Sequence, residues 1–174
     1  LELAAELGVV LPAHEPEGLA RELHRGELCT SLEHYLRAFE VTLAVLQDEP
    51  ALRRAARELV EDAAAEGVWY LEVRFSPALH GRRGLSTEAA LRAVLAGLAE
   101  GEGAQAASGR APIRAAVIVC GLRHLTPEAT IALAELAVAY RGRGVCAFDL
   151  AGGEAGFPAA VHQEAFRVAR DGEL

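Results

Sequence analysis

The amino-acid sequence predicts an α/β protein in which strands and helices alternate. Three apolar segments, Val68 to Phe75, Ile113 to Gly121 and Val145 to Leu150, are rich in β-branched and aromatic residues, as buried strands are. A helical pattern follows each segment, which gives the order β-α-β-α-β-α. This order predicts parallel strands with helices outside, either in a doubly wound sheet or in part of a (β/α)8 barrel.

A helical lead-in precedes the first strand. Short helices are expected at residues 1–7 and 17–23, and Ser31 is expected to cap one longer helix through Gln47. Asp48 and Pro50 predict the start of the next helix, to about Glu66, because Asp is a good cap and Pro suits the first turn. The later helices are predicted from Ser86 to about Ala99, from Thr126 to about Arg141 and from Pro158 to Asp171, with a polar connector at Gly101 to Pro112.

The composition is that of a water-soluble domain, with 52% hydrophobic and 24% charged residues in 174. A formal charge of −8 argues against a nucleic-acid partner, and the apolar runs fall short of the roughly 18–20 residues that span a membrane. Three cysteines, Cys29, Cys120 and Cys146, are an odd number without C-x-x-C spacing. They predict buried free thiols in the cytoplasm rather than disulfides or a cysteine zinc site.

The ends of the chain suggest a larger parent. The sequence has no methionine, and the helix predicted at its start has no capping residue before it. At the other end, Asp171-Gly172 closes a helix where another strand would be expected to follow. We therefore expect residues 1–174 to be a single, incomplete domain from the middle of a longer protein.

Polar side chains alternate along the first predicted strand. Glu72 and Arg74 share a face with Tyr70 and Ser76, since successive residues of a strand point to opposite sides. The sequence favours a structural ion pair between Glu72 and Arg74, and a polar layer beneath an active site is the alternative.

Further polar residues follow the other two strands. Arg123 and His124 come directly after the second strand, and Asp149 ends the third strand ahead of Gly152. The carboxyl ends of parallel strands are where ligands bind in α/β proteins. Asp149 is expected either to orient a metal-bound histidine or to accept backbone N–H bonds in its turn. The six histidines form no H-x-H or H-x-x-x-H pair, so His124 is expected to support a loop rather than to bind metal.

Four segments, taken together, resemble the adenosine deaminase family over essentially the whole chain. They are the Y-x-E-x-R-x-S-P strand at residues 70–77, the strand at 117–124 that ends in Arg-His, the D-L-A-G-x-E strand end at 149–154, and the S-L-x-x-Y-L-x-x-F helix at 31–39. The family is a (β/α)8 barrel that uses zinc to convert adenosine to inosine and ammonia. The resemblance implies a partial TIM barrel, a helical lead-in followed by three β/α units.

The resemblance also implies a set of substrate-binding residues. Gly152 is similar to the glycine whose backbone contacts the purine, and Leu122 to a wall nearby. An apolar gate over the nucleoside would be formed by Leu32, Tyr35, Leu36 and Phe39, for which ordinary core packing is the alternative. Gly153 stands where the family usually has Asp.

The family's zinc ligands and proton-shuttling Glu have no counterpart in this chain. The family's H-x-H motif would lie before Leu1, and its H-A-G-E motif after Leu174. We therefore assign no metal ligand and no catalytic residue to residues 1–174, and expect the isolated chain to be inactive.

Three alternatives to an adenosine deaminase remain open at this point. The parent could act on adenine or another adenosine derivative, or it could be a catalytically dead relative that only binds. A doubly wound binding domain would require a G-x-G-x-x-G after a strand, which none of the three predicted strands has. The expected partner is a small purine nucleoside, with no nucleic acid or membrane, and the sequence leaves the oligomeric state open.

Overall fold

A computed structural model gives the structure of the protein at residues 1–23 and 31–174. The prediction of a free thiol at Cys29 lies outside these described residues. The chain divides into two units, Leu1–Gln47 and Asp48–Leu174. The first contains the helical lead-in and the second contains the sheet, and the single domain expected over residues 1–174 stays a prediction.

The first unit contains four helices within its described residues: α1 (Glu2–Leu7), α2 (Pro16–Leu23), α3 (Leu32–Leu36) and α4 (Phe39–Val45). Ser31 caps α3 as predicted, because its Oγ accepts a hydrogen bond from the His34 amide at 3.1 Å. The single helix predicted from Ser31 to Gln47 is wrong. It is interrupted at Arg37–Ala38, where the Ala38 amide bonds the Tyr35 carbonyl in a tighter turn.

The second unit alternates strands and helices in the predicted order. Its elements are α5 (Glu49–Ala65), β1 (Tyr70–Phe75), α6 (Thr87–Ala107), β2 (Arg114–Leu122), α7 (Pro127–Ala139), β3 (Val145–Ala151) and α8 (Gln163–Asp171), with short 3-10 turns at Pro77–His80 and Ala159–His162. The predicted caps of α5, α6 and α7 are confirmed: Asp48, Ser86 and Thr126 accept amide hydrogen bonds at 2.9, 3.1 and 3.3 Å. Across the described ranges, no helix is long and apolar enough to cross a membrane.

The three strands form one parallel sheet in the order β1-β2-β3. One face carries the fully buried Val117 and Val119, and the helices pack on it; for example, Phe148 of β3 meets Phe166 of α8 with ring centroids 5.4 Å apart. The other face carries the predicted polar stripe, and Tyr70 on it is 56% exposed. The parallel arrangement places the ends of β1, β2 and β3 at one edge of the sheet, where ligands bind in this class of fold.

Helix α6 is eight residues longer than predicted, because its glycines serve packing rather than termination. The prediction ended this helix at about Ala99 and made Gly101 the start of a connector, whereas α6 continues to Ala107. A Cβ at Gly97 would lie 2.2 Å from the Arg53 carbonyl oxygen, and one at Gly101 would lie 2.6 Å from Val60 Cβ. The absence of side chains at these positions lets α6 lie close against α5.

Candidate functional site

The candidate site lies at the carboxyl ends of β2 and β3. These strands remain joined one residue beyond β2, because the Arg123 amide donates a hydrogen bond of 2.8 Å to the Ala151 carbonyl. Gly152 follows with a φ of 109°, a conformation that residues with a Cβ rarely adopt. This hydrogen bond places Gly152 beside Arg123 at the edge where ligands bind in parallel α/β sheets.

A Cβ at position 152 would contact its neighbours without a clash. A Cβ built there would lie 3.6 Å from the Arg123 amide nitrogen and 4.0 Å from His124 Nδ1, which are ordinary contact distances. The need for glycine at position 152 is therefore conformational. His124 is exposed beside this turn, and its role in supporting the loop stays a prediction.

Arg123 connects the end of β2 to the loop that follows β3. Its guanidinium donates to the Phe157 carbonyl at 3.3 Å and to Glu154 Oε1 at 3.1 Å. Its carbonyl is 3.1 Å from Nε2 of His162, a fully buried ring at the start of α8. No sequence motif singled out His162, because this contact joins residues 39 positions apart.

The predicted ion pair between Glu72 and Arg74 is wrong. Arg74 Nη1 pairs with Asp149 Oδ2 at 2.5 Å, whereas Glu72 accepts a hydrogen bond of 2.8 Å from the Tyr70 hydroxyl. The partner of Arg74 lies on β3, two strands away, because the register sets Asp149 opposite Cys120 of β2 on the same face. This pairing also differs from both roles expected for Asp149, since its carboxylate holds a guanidinium.

Two titratable side chains on the polar face of the sheet, Cys120 and Tyr70, have raised pKa values. Burial, with a smaller effect of the Asp149 carboxylate, raises the pKa of the Cys120 thiol to about 11. The hydrogen bond to Glu72 is the main cause that raises the pKa of Tyr70 to about 12. Both groups are neutral near pH 7, so neither is a ready nucleophile or base.

The four predicted gate residues lie in the first unit. Leu32 and Tyr35 on α3 and Phe39 on α4 are between 43% and 48% exposed, and Leu36 is half-buried. The Tyr35 and Phe39 rings meet edge to face with centroids 5.7 Å apart. Three large apolar side chains therefore stand at the surface in one short stretch of the first unit, and their role as a gate stays a prediction.

Comparison with known proteins decides the family. The sequence model of the family described as "Adenosine deaminase" matches residues 1–174, the entire chain. The chain belongs to the adenosine deaminase family. It is 48% identical over 171 residues to an adenosine deaminase of Mycolicibacterium vanbaalenii and 46% identical over 171 residues to a probable adenosine deaminase of Dictyostelium discoideum. These alignments cover 98% of this chain but 46% and 21% of the two relatives, so the chain spans half or less of their length.

Solved structures of related proteins establish the architecture. The arabidopsis N6-mAMP deaminase MAPDA is similar with a TM-score of 0.80 and 26% identity, over 99% of this chain and 51% of that one. A Burkholderia ambifaria amidohydrolase solved with bound Zn is similar with a TM-score of 0.78 and 26% identity, over 99% of this chain and 45% of that one. The predicted fold, a partial (β/α)8 barrel, is confirmed by the parallel three-stranded sheet and by the likeness to these TIM-barrel structures.

The family resemblance raises the question of whether this part of the barrel can hold a metal. Within residues 1–23 and 31–174, no three His, Cys, Asp or Glu side chains lie close enough to bind an ion together. Asp149 and Glu154, the acids nearest the candidate site, each pair with an arginine instead. The described residues therefore do not fit a zinc site, which needs at least three protein ligands.

Proposed function

We propose that this chain is the central part of an adenosine deaminase, an enzyme that hydrolyses adenosine and 2'-deoxyadenosine to inosine or its deoxy form and ammonia. The main support is the match of the family over all 174 residues, together with relatives of 46–48% identity that are named adenosine deaminase. The expected ligand is a small purine nucleoside, in line with a place in purine metabolism.

In this proposal Gly152 is the point where the purine ring meets the backbone. Its position at the sheet edge and its φ of 109° support this role, since the backbone there is not shielded by a side chain. The exposed Leu32, Tyr35 and Phe39, with Leu36 beside them, would cover the nucleoside as an apolar gate. Rings stack well on the flat face of a purine, so Tyr35 and Phe39 suit this contact.

In the complete enzyme, zinc would be bound by residues that lie outside residues 1–174. A related amidohydrolase carries bound Zn. Zinc bound in the complete enzyme would supply an activated water as the nucleophile at neutral pH. No metal ligand is assigned to this chain, and we propose that residues 1–174 alone are catalytically inactive. Residues 1–174 would contribute the purine contact and the scaffold of the β2 and β3 ends.

The test compares the 174-residue chain with the product of the complete gene. Each is incubated with adenosine, with added Zn²⁺ or with a chelator, and ammonia and inosine are measured. The complete product is expected to release both in a zinc-dependent way, and the chain alone to release neither above background. An inactive complete product would refute the proposed reaction, and zinc-dependent inosine from the chain alone would refute its inactivity.

A second substrate class is favoured by the solved relatives. The arabidopsis neighbour is an N6-mAMP deaminase, and another neighbour with a TM-score of 0.80 and 25% identity is an ADAL–IMP complex. The relatives of 46–48% identity are named adenosine deaminase, so adenosine is the first choice. Rates of the complete product with adenosine, adenine and AMP would separate these substrates, and binding without turnover would indicate an inactive relative.

We further propose that the enzyme works in the cytoplasm. Cys120 and Cys146 are free thiols in the structure, and Cys146 is half-buried. Proteins of reducing compartments usually keep such thiols. Localisation of the tagged complete gene product would test this, and its recovery outside the cytoplasm would contradict it.

A further inference from the structure

Arg123 is bonded to the β3–α8 segment through its amide, its carbonyl and its side chain. The amide donates to Ala151, immediately before Gly152, and the guanidinium donates to Glu154 and the Phe157 carbonyl beyond it. The Arg123 side chain is 18% exposed, whereas that of Glu154 is 75% exposed, so the contact between them is open to water. A hydrogen bond made by a charged guanidinium is nevertheless stronger than one between neutral groups.

His162 completes this set of contacts from the start of α8. A carbonyl only accepts hydrogen bonds, so the 3.1 Å contact to the Arg123 carbonyl requires a proton on Nε2. The ring is 1% exposed, and its Nδ1 has no hydrogen-bond partner among the described residues of the chain. The ring is therefore fixed by one directed bond to Arg123 and by packing.

These contacts lie beside the Gly152 turn, whose backbone conformation is not restrained by a side chain of its own. Glycine has more backbone freedom to lose than any other residue, so holding Gly152 at a φ of 109° requires restraint from its neighbours. The nearest restraint is Arg123, whose amide nitrogen lies 3.6 Å from the Cβ position of Gly152.

We propose that Arg123 and His162 are positioning residues that hold the Gly152 turn in its binding geometry. The proposal rests on the proposed function in one respect, namely that the Gly152 backbone meets the purine. The two residues act through the backbone of the turn.

The test uses amide hydrogen exchange and NMR spectra of the 174-residue chain. His162→Gln keeps an N–H donor near the position of Nε2, whereas His162→Leu fills the space without a donor. Val161→Ala, a change at an exposed neighbouring side chain, is the matched control. The exchange rate of the Arg123 amide reports how often its hydrogen bond to the Ala151 carbonyl opens. The exchange rates of core amides in α6 report the global stability of the chain.

His162→Leu is expected to speed exchange at the Arg123 amide by about tenfold or more and to shift the Gly152 signal, with α6 amides unchanged. His162→Gln and Val161→Ala are expected to stay within about threefold of the original chain. Unchanged exchange in His162→Leu would overturn the proposal. So would equal effects of Gln and Leu, or an equal acceleration at every amide.

A second variant covers the case in which His162→Leu does not fold. Arg123→Lys keeps the charge but loses the forked contact to Glu154 and Phe157, and Arg92→Lys on α6 is its control. The amide of residue 123 is expected to exchange faster in Arg123→Lys than in the original chain, and to be unchanged in Arg92→Lys. Equal exchange rates at this amide in the two variants would overturn the proposal.

The dependence on the proposed function is checked separately with adenosine. Adenosine is expected to shift the Gly152 amide signal in the original chain and less so in His162→Leu. If adenosine does not shift Gly152 in the original chain, the proposed purine contact fails, while the exchange rates alone decide the positioning role.

Discussion

The close packing of α5 against α6 gives a sharp prediction at Gly97. Replacement by alanine puts a Cβ 2.2 Å from the Arg53 carbonyl oxygen and 2.9 Å from Ala56 Cβ. Carbon atoms make favourable contacts at about 3.5–4.0 Å, so the two helices must separate by roughly an ångström. Overpacking of this kind costs about 1–3 kcal/mol.

A control substitution on the same helix separates the cost of overpacking at Gly97 from the general effect of replacing glycine by alanine. Gly103 is exposed in α6, and a Cβ there would meet nothing within 4 Å. Gly103→Ala is therefore expected to stabilise the chain by up to about 1 kcal/mol, the ordinary helix preference for alanine over glycine. Gly97→Ala gains the same preference but loses more through the helix separation, so a net loss of up to about 2 kcal/mol is expected.

The assay is urea unfolding followed by circular dichroism, with free energies obtained by linear extrapolation. The slope of the unfolding free energy against urea concentration is expected to be the same for the original chain, Gly97→Ala and Gly103→Ala, since each buries a similar surface. If Gly97→Ala were stabilised as much as Gly103→Ala, the close approach of α5 and α6 would be refuted. The extension of α6 past Ala99 by packing would then lose its physical reason.

Three further predictions concern the sheet and its edge. Gly152→Ala is expected to cost about 1–3 kcal/mol in the same unfolding assay, because of its positive φ rather than crowding, and a cost near zero would contradict that conformation. Cys120 has a pKa raised from 9.0 to about 11, so its neutral thiol favours the fold below about pH 9, and this contribution is lost as pH rises through 11. At pH 8 iodoacetamide is therefore expected to label Cys120 far more slowly in the folded chain than in urea, as measured by mass spectrometry, and equal rates would contradict its burial. A double-mutant cycle with Arg74→Met and Asp149→Asn is expected to give a coupling below about 1 kcal/mol, since both groups are substantially exposed, and a coupling above about 2 kcal/mol would contradict that exposure.

Local signals in the sequence predicted most of the second unit. The caps at Asp48, Ser86 and Thr126 act through the amide three residues ahead, so the residues involved are adjacent in the sequence. Strand composition also identified the three segments that form β1, β2 and β3. Trp69 marks the limit of this reasoning: it is aromatic and was predicted within the first strand, yet it is 76% exposed and β1 begins at Tyr70.

What the sequence did not predict depends on contacts between distant residues. Gly101 suggests a helix end when viewed alone, and only the presence of Val60 opposite explains why α6 continues through it. Arg74 has a plausible partner two residues away, but the sheet register brings Asp149 closer, from 75 residues along the chain. For the candidate site, the resemblance predicted Gly152 as the purine contact, whereas the hydrogen bonds that join Arg123 to His162 and Glu154 became apparent only in three dimensions.

The most direct test of the proposed function is to read the gene on both sides of the codons for Leu1 and Leu174. We expect an H-x-H motif upstream and an H-A-G-E motif downstream, which would supply the zinc ligands and the proton-shuttling Glu that residues 1–174 are proposed to lack. Unrelated residues or stop codons at both places would contradict the proposal that this chain belongs to a working zinc deaminase.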